Sequence, residues 1–199
     1  MSQTKGEKTR ETILTASKKL MLEKGYSATS MRMIADESKI TPGAIYNHFQ
    51  SKEQIFETLI DESIPLLEVG DQLTMMQVTE PEEALRFAIR QIAETLLSHE
   101  DYIRLGLIDA QERQGKSVRK MLPRLYPIFM GFVAKVWEAD KSLFREMPIE
   151  KFLRVLVSLI FGYVYTEIVV NPMESLPLPD VDWVEALVDV FMYGVVNRG

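Results

Sequence analysis

The chain has 199 residues, 46% of them hydrophobic and 26% charged, which is typical of a folded globular protein and excludes disordered, collagen-like and coiled-coil classes. The absence of cysteine excludes disulfides and thiolate metal sites, and two histidines, His48 and His99, leave little for histidine-based metal or triad chemistry. The net charge of −6 divides unevenly: residues 1–52 hold nine basic and five acidic residues, whereas residues 53–199 carry a net −10. A basic head on an acidic body favours contact between the head and a polyanion.

The first two predicted helices lie close to the N-terminus. Apolar residues at helical spacing predict a helix over 8–24, and Gly25 follows it as a left-handed stop. A short second helix is predicted over 30–37, with Thr29 as its N-cap.

A tight connection at 38–40 leads to a very short third helix. Thr41 caps this helix, and Pro42 occupies the first helical position, where its missing N–H is not needed. Ser51, with Gln54 three residues later, predicts a capping box at the start of a fourth helix.

The rest of the chain also shows helical periodicity, with no strand alternation and no internal repeat. Pro123 and Pro127 are expected to kink or divide one of its helices, and residues 173–179 are expected to form a proline-punctuated loop. We therefore predict an all-α protein. The later predicted helices cover residues 81–96, 101–114, 117–139, 149–170 and 183–197.

A helix, a tight turn and a short second helix form the geometry that places a recognition helix in the major groove of DNA. Such a helix needs small side chains and free backbone amides at its leading edge. Phe49 is expected to anchor the helix to the core. Tyr46 is expected to contact a phosphate, with a core position as the alternative, and capping alone would explain Thr41. The candidate DNA contacts are Thr29, Ser30, Lys39, Thr41, Pro42, Gly43, Ala44, Tyr46, Asn47, His48 and Lys52.

The sequence GYSATSMRMIA at 25–35, followed by ITPGAIYNHFQSKE at 40–53, resembles the N-terminal domain of the tetracycline-repressor (TetR) family. Family members often have Ala-Gly-Val in the turn, where this chain reads Glu37-Ser38-Lys39-Ile40, so Lys39 adds a candidate phosphate contact. The resemblance implies a homodimeric regulator, usually a repressor, with an all-helical C-terminal domain that binds a small, largely apolar effector. We expect the protein to bind double-stranded, palindromic operator DNA, and we expect no cofactor and no metal.

These considerations predict a helix-turn-helix DNA-binding domain at 1–52 and an effector-binding and dimerisation domain at 53–199. The first ten residues do not resemble a signal peptide, and the apolar stretch 155–170 is too short to span a bilayer. The sequence thus predicts a cytoplasmic protein with no membrane partner.

The predicted helices 149–170 and 183–197 are too apolar for a surface position, which predicts an isologous four-helix dimer interface. The alternative is that their apolar residues form an ordinary intrachain core. The candidate interface residues are Leu156, Leu159, Gly162, Tyr163, Leu187, Phe191 and Gly194.

The candidate effector pocket draws on aromatic residues and on three carboxylates in apolar surroundings. Aromatic residues at helical spacing are more often core than ligand contacts, and the carboxylates need a partner, either an arginine (Arg104, Arg113 or Arg154) or a cationic effector. The candidate pocket residues are Phe87, Tyr102, Asp109, Glu112, Phe129, Trp137 and Glu167.

A ligand-responsive transcriptional regulator, and not an enzyme, is therefore the leading functional hypothesis. An all-helical enzyme that uses Asp109, Glu112 or Glu167 as acid or base is the alternative, although the sequence has no glycine-rich phosphate loop and no legible nucleophile–base pair. A helical scaffold that does not bind DNA ranks third.

Overall fold

The structure is a computed structural model that describes residues 4–62, 64–142, 144–169 and 181–195. Over these residues the secondary structure is helical, without β-strands, as the all-α prediction required. The helices are α1 (Lys5–Lys24), α2 (Met31–Ser38), α3 (Pro42–Tyr46), α4 (Lys52–Asp61), α5 (Leu66–Met75), α6 (Pro81–Ser98), α7 (Glu100–Glu112), α8 (Lys116–Ala139), α9 (Ile149–Val169) and α10 (Trp183–Val195).

Two elements differ from the sequence prediction, and a third lies outside the described residues. Helix α5 was not predicted, because Pro65 supplies no capping side chain and Gly70 interrupts the helix-favouring residues. A Cβ at Gly70 would lie 2.7 Å from Ile128, so the glycine allows α5 to pack closely on α8. Helix α8 continues through Pro123 and Pro127 without dividing. The predicted loop at 173–179 lies outside the described residues.

The chain divides into two compact units. The first unit takes in the described residues up to 64 together with 101–122, so it contains α1–α4, α7 and the beginning of α8. The second unit takes in residues 65–100 and the described residues from Pro123 onward. This division differs from a single cut after residue 52, because α4 and α7 share a core with the N-terminal helices.

The core of the first unit explains why α4 and α7 belong to it. Ile13, Ile34, Ile45 and Phe56, one from each of α1–α4, are fully buried in one cluster that also contains Leu105 of α7. Burial of side chains of this size stabilises the fold by about 1.5–3 kcal/mol each. The short helix α3 is therefore held by tertiary packing, since five residues have no independent helical stability.

The second unit is built around α6, which packs against α5, α9 and α10. Phe152 of α9 makes edge-to-face contacts with Trp137 and Phe191, whose ring centroids lie 5.9 Å and 5.2 Å away, and Trp137 stacks on Phe144 at 4.6 Å. Arg86 contacts Asp189 at 2.8 Å, which ties α6 to α10 at their polar edge. Among the helices that the structure describes, none has the length and hydropathy to cross a bilayer.

Candidate nucleic-acid interface

Helix α3 has one buried face and one exposed face. Ile45 and Phe49 are buried in the core of the first unit, which confirms Phe49 as the anchor of this segment. Tyr46, by contrast, is 54% exposed, so the interpretation of Tyr46 as a core residue is wrong. A Cβ at Gly43 would meet no atom within 4 Å, so there is open space beside this residue.

The start of α3 is capped by backbone geometry. Thr41 is the N-cap residue with extended backbone angles and Pro42 follows it, as predicted, but the Thr41 side chain makes no capping hydrogen bond. Thr41 is also exposed. Its hydroxyl therefore has no capping role in the folded protein, which leaves it available to a ligand at the protein surface.

The predicted cap of α2 is wrong by one residue. Ser30 is the N-cap, and its hydroxyl oxygen accepts a hydrogen bond from the backbone N–H of Met33 at 3.2 Å. Thr29 is only 2% exposed, and its hydroxyl donates to the Gly25 carbonyl at 2.8 Å. Because this side chain is buried and already hydrogen-bonded, Thr29 does not present a DNA contact.

The turn between α2 and α3 contains a left-handed residue. Lys39 has φ 58° and ψ 29°, and its N–H donates to the Ala35 carbonyl, so it ends α2 in the way a glycine usually does. The Lys39 side chain is exposed at this turn. The departure from the family's Ala-Gly-Val pattern thus keeps a tight turn and adds a cation to it.

Lys52 faces the protein, which differs from the predicted phosphate contact. Its ammonium donates hydrogen bonds to the backbone carbonyls of Tyr26 at 2.5 Å and Thr29 at 2.6 Å, and it lies 4.2 Å from the centroid of the Tyr26 ring. Burial lowers the pKa of Lys52. The sequence showed only that a lysine follows the capping serine, and nothing local indicated which way its side chain turns.

The remaining predicted contacts lie at the end of α3. Asn47 is exposed, and Ala44 and His48 are half-buried. Most of the residues that the sequence predicted to meet DNA are thus exposed or half-buried within one short segment of the first unit: Lys39, Thr41, Pro42, Gly43, Ala44, Tyr46, Asn47 and His48.

The predicted effector-pocket residues are divided between the two compact units. Tyr102, Asp109 and Glu112 belong to the first unit, whereas Phe87, Phe129, Trp137 and Glu167 belong to the second. The Tyr102 hydroxyl donates to the sulfur of Met121 at 2.6 Å. The seven residues are therefore divided between the two units, because α7 packs with the N-terminal helices.

Asp109 and Glu112 already have partners within the chain. Asp109 is fully buried, and its carboxylate accepts hydrogen bonds from Arg113 at 3.0 Å and from the backbone N–H of Ser117 at 2.9 Å. The interpretation that an arginine neutralises Asp109 is therefore confirmed. Glu112 accepts from the backbone amides of Tyr26 and Ser27 at 3.2 Å and 2.6 Å, a partner that the sequence did not indicate.

Within the second unit, an open cleft of about 440 Å³ lies beside Trp137. Trp137 is one of its apolar walls, and Glu138 and Lys141 supply charges of both signs. The other lining residues of the cleft are Ala134, Met147 and Ile149.

Elsewhere in the second unit, burial raises the pKa of Tyr163 to about 12, and the nearby Glu167 carboxylate acts in the same direction.

The predicted dimer-interface residues divide between the core and the surface. Leu156 and Phe191 are 5% and 2% exposed and belong to the intrachain core, so the alternative interpretation is correct for these two. Leu159, Tyr163 and Leu187 are half-buried. Gly162 and Gly194 are exposed, and a Cβ at either would meet no atom within 4 Å.

Large apolar side chains are nevertheless exposed on both of these helices. Phe161 and Val190 are 50% and 66% exposed, beside Gly162 and Gly194 respectively. The exposed apolar face of each helix is therefore rotated about the helix axis relative to the face that the sequence predicted. Its exposed apolar residues are Val157, Phe161 and Tyr165 on α9, and Trp183, Val190 and Tyr193 on α10.

The sequence profile of bacterial regulatory proteins of the tetR family matches residues 13–59, the segment that contains the exposed face of α3. Residues 13–59 therefore have the sequence features of the tetR-family regulatory domain. The helical C-terminal part of the chain agrees with TetR-family structures.

Several known proteins resemble the chain beyond the matched segment. The HTH-type transcriptional regulator UidR of Escherichia coli (strain K12) is 28% identical over 137 residues, which are 67% of this chain and 66% of UidR, slightly less than two thirds of that relative. The crystal structure of NalD from Pseudomonas aeruginosa, the secondary repressor of the MexAB-OprM multidrug efflux pump, is 27% identical with a TM-score of 0.71, and the match covers 97% of this chain and 98% of NalD. A SmeT–triclosan complex shares the fold at 18% identity, with a TM-score of 0.69 and coverage of 96% and 93%.

Proposed function

We propose that the chain is a DNA-binding transcriptional repressor that a small, largely apolar effector releases from a palindromic operator. The observation that carries the proposal is the exposed leading edge of α3, where small residues and an uncommitted Thr41 hydroxyl stand on a helix anchored by Phe49. Such an edge allows backbone amides and short side chains to approach phosphates and base edges closely. In this proposal the protein acts in the cytoplasm, where its DNA lies.

The exposed polar residues of the first unit divide into two proposed roles. Thr41, Pro42, Gly43 and Ala44 form the edge that enters the major groove, where Thr41 and Pro42 offer a hydroxyl and an apolar contact to bases. The backbone amides at the start of α2, next to Ser30, complement a phosphate. The proposed phosphate contacts are Ser30, Lys39, Tyr46, Asn47 and His48.

We propose the exposed face of α9 and α10 as the dimer interface. A monomer would expose large apolar side chains along both helices, and a second copy of the same face would remove them from water. Gly162 and Gly194 lie on this face with free space above them, which suits close backbone approach. The dimer would present two recognition helices to half-sites about 34–36 Å apart.

The second unit is the proposed effector domain. Its aromatic residues and the cleft beside Trp137 suit an apolar ligand, and its described part holds Phe87, Phe129 and Glu167 from the predicted pocket set. The SmeT–triclosan complex supports small-molecule binding by this fold. Effector and operator would oppose each other's binding by the same factor, because coupling between two sites is reciprocal.

The enzyme alternative loses its best acid–base candidates. Asp109 is buried on backbone amides and an arginine, and Glu112 is held by two backbone amides, so both have structural partners. The relatives UidR and NalD are regulators by name. Nothing in the site therefore favours catalysis over DNA binding.

DNA binding is tested with the full chain and a duplex that it selects from a randomised pool. We expect Lys39→Ala to weaken binding and to reduce the slope of log affinity against log salt by about one unit, because one phosphate contact is lost. Lys151→Ala removes the same charge from an exposed position in the second unit and is the matched control. Failure to select any duplex would overturn the proposal, and an unchanged slope would remove Lys39 from the contacts.

A further inference from the structure

Charged side chains form hydrogen bonds with both the backbone amides and the backbone carbonyls of the loop that connects α1 to α2, residues 25–29. On its N–H side, the Glu112 carboxylate accepts from the amides of Tyr26 and Ser27. On its C=O side, the Lys52 ammonium donates to the carbonyls of Tyr26 and Thr29. The next residue after this loop is Ser30, the N-cap of α2, so the side chains that hold the loop also set where α2 begins.

Arg113, the next residue after Glu112, contacts the same loop at the aromatic ring of Tyr26. The Arg113 side chain is 4% exposed, and its guanidinium carbon lies 4.9 Å from the Tyr26 ring centroid and 4.6 Å from that of Phe56. The guanidinium donates to Asp109 at 3.0 Å and to the Ser117 hydroxyl at 2.6 Å. The two rings also contact each other edge to face, with centroids 5.2 Å apart. A cation that lies against both rings and is hydrogen-bonded to a carboxylate and a hydroxyl holds α7, α8 and the loop in one arrangement.

The loop approaches the Glu112 carboxylate most closely at Gly25. Gly25 has φ +86°, and a Cβ there would lie 2.6 Å from a Glu112 carboxylate oxygen. The glycine therefore serves two purposes: it ends α1 in the left-handed region and lets the carboxylate reach the two amides that follow.

We propose that Glu112 is a positioning residue for DNA binding: its carboxylate, together with Lys52 and Arg113, holds the 25–29 loop and thereby the start of α2. Glu112 does not contact DNA itself, since phosphates would repel it, and it acts through the loop amides. The chain leads from α7 back into α6 and from α8 onward past Pro123, both parts of the second unit. A shift of α7 would therefore change the loop and with it DNA affinity. This inference rests on the proposed function.

The first measurement needs no DNA. Hydrogen–deuterium exchange of the full chain reports the opening of the Tyr26 and Ser27 amides. We expect Glu112→Gln to accelerate exchange at Ser27 about tenfold or more, because a charge-assisted hydrogen bond becomes a weaker neutral one. Glu23→Gln, an equal charge change on exposed α1, should leave these amides as they are. Unchanged exchange in Glu112→Gln would overturn the proposal.

The second measurement uses the duplex selected by the wild-type protein. Glu112→Gln should weaken binding about tenfold with an unchanged salt slope, since no phosphate contact is lost. Lys52→Met should do the same, and the double variant should bind no more weakly than about the worse single variant, because both side chains act on one loop. Additive losses, or a slope reduced by one in Lys52→Met, would show that Lys52 contacts phosphate and would overturn the shared clamp.

Two controls separate the possible failures. Urea unfolding of each variant must show a folded protein at the assay temperature, and Glu112→Asp provides a second variant that retains the charge on a shorter side chain. If Glu112→Asp exchanges more slowly than Glu112→Gln at these amides, the result supports the proposal that the negative charge holds the loop. Equal exchange rates in the two variants would contradict this proposal. If no duplex is selected, the proposed function fails while the exchange measurement still decides the loop contact.

Discussion

Asp109 and Glu112 lie one turn apart on α7 and serve different backbone segments. Asp109 accepts from the first amides of α8, at Ser117 and Val118, and thereby supports the start of that helix. Glu112 reaches the loop before α2 instead. Two carboxylates of similar sequence context thus differ in function because the helix presents them to different neighbours.

The contact of Glu112 with the loop amides should make the free energy of unfolding depend on pH. Hydrogen bonds from Ser27 lower the pKa of Glu112, and the Tyr26 amide and the Lys52 charge act in the same direction, although partial burial opposes them. A lowered folded-state pKa contributes stability that is fully present above the unfolded value of about 4.3 and is lost as the pH falls through the folded pKa. We therefore expect the difference in unfolding free energy between wild type and Glu112→Gln to be constant from pH 7 to 5 and to shrink below about pH 4.

Urea unfolding at a series of pH values checks this expectation. Glu23→Gln, whose position has no such contact in the structure, should show no comparable narrowing on acidification. A difference between wild type and Glu112→Gln that grows as the pH falls would contradict the predicted sign.

At the scale of elements, the two helices of the DNA-binding motif start in different ways. Helix α2 begins with a side-chain cap from Ser30, whereas α3 begins at Thr41 with no side-chain cap bond and depends on Pro42 and on the burial of Ile45. Capping thus orders α2 locally, and tertiary packing orders α3.

The different caps predict different responses to substitution. Ser30→Ala should lower the free energy of unfolding by about 1 kcal/mol, because the Met33 amide loses its partner. Thr41→Val should change stability much less, since no capping bond is removed, yet it should weaken operator binding by removing the hydroxyl from the leading edge. Urea unfolding and DNA affinity, measured side by side, check both. Equal destabilisation by the two substitutions would mean that Thr41 caps α3 in solution.

At the scale of the whole molecule, the proposed dimer depends on the surface of α9 and α10. Leu156 and Phe191 belong to the intrachain core, and Phe161 and Val190 are exposed. Each helix is thus apolar on more than one side: one side packs in the single chain, and the exposed side is the one that we propose for association.

Gly162→Arg is expected to abolish dimerisation and operator binding together. A Cβ at this exposed position meets no atom within 4 Å in the single chain, so the monomer should fold, whereas an unpaired charge buried between two copies costs about 3–5 kcal/mol. Gly131→Arg on α8, also an exposed helical glycine without close neighbours, is the matched control and should remain dimeric. Analytical ultracentrifugation measures the mass of both. A dimeric Gly162→Arg variant would show that the interface lies elsewhere.

The sequence by itself determined the features that neighbours along the chain control. Pro42 at the start of α3, the Ser51 cap of α4 and the tight turn at Lys39 depend on contacts within about four residues, and these were predicted correctly. The predicted Thr29 cap was wrong by one residue. Thr29 and Ser30 both carry a hydroxyl that could cap α2, and because Thr29 is buried, Ser30 is the cap.

The tertiary structure alone decided the partners of charged side chains and the outward faces of apolar helices. Glu112 meets a loop 85 residues earlier in the chain, and Lys52 turns inward onto carbonyls more than 20 residues away. On α9 and α10, apolar residues surround the helix, so periodicity could not tell Leu156 from Phe161. Such partners depend on the angles at which distant helices pack, and those angles follow from the burial of the whole core, which no local pattern contains.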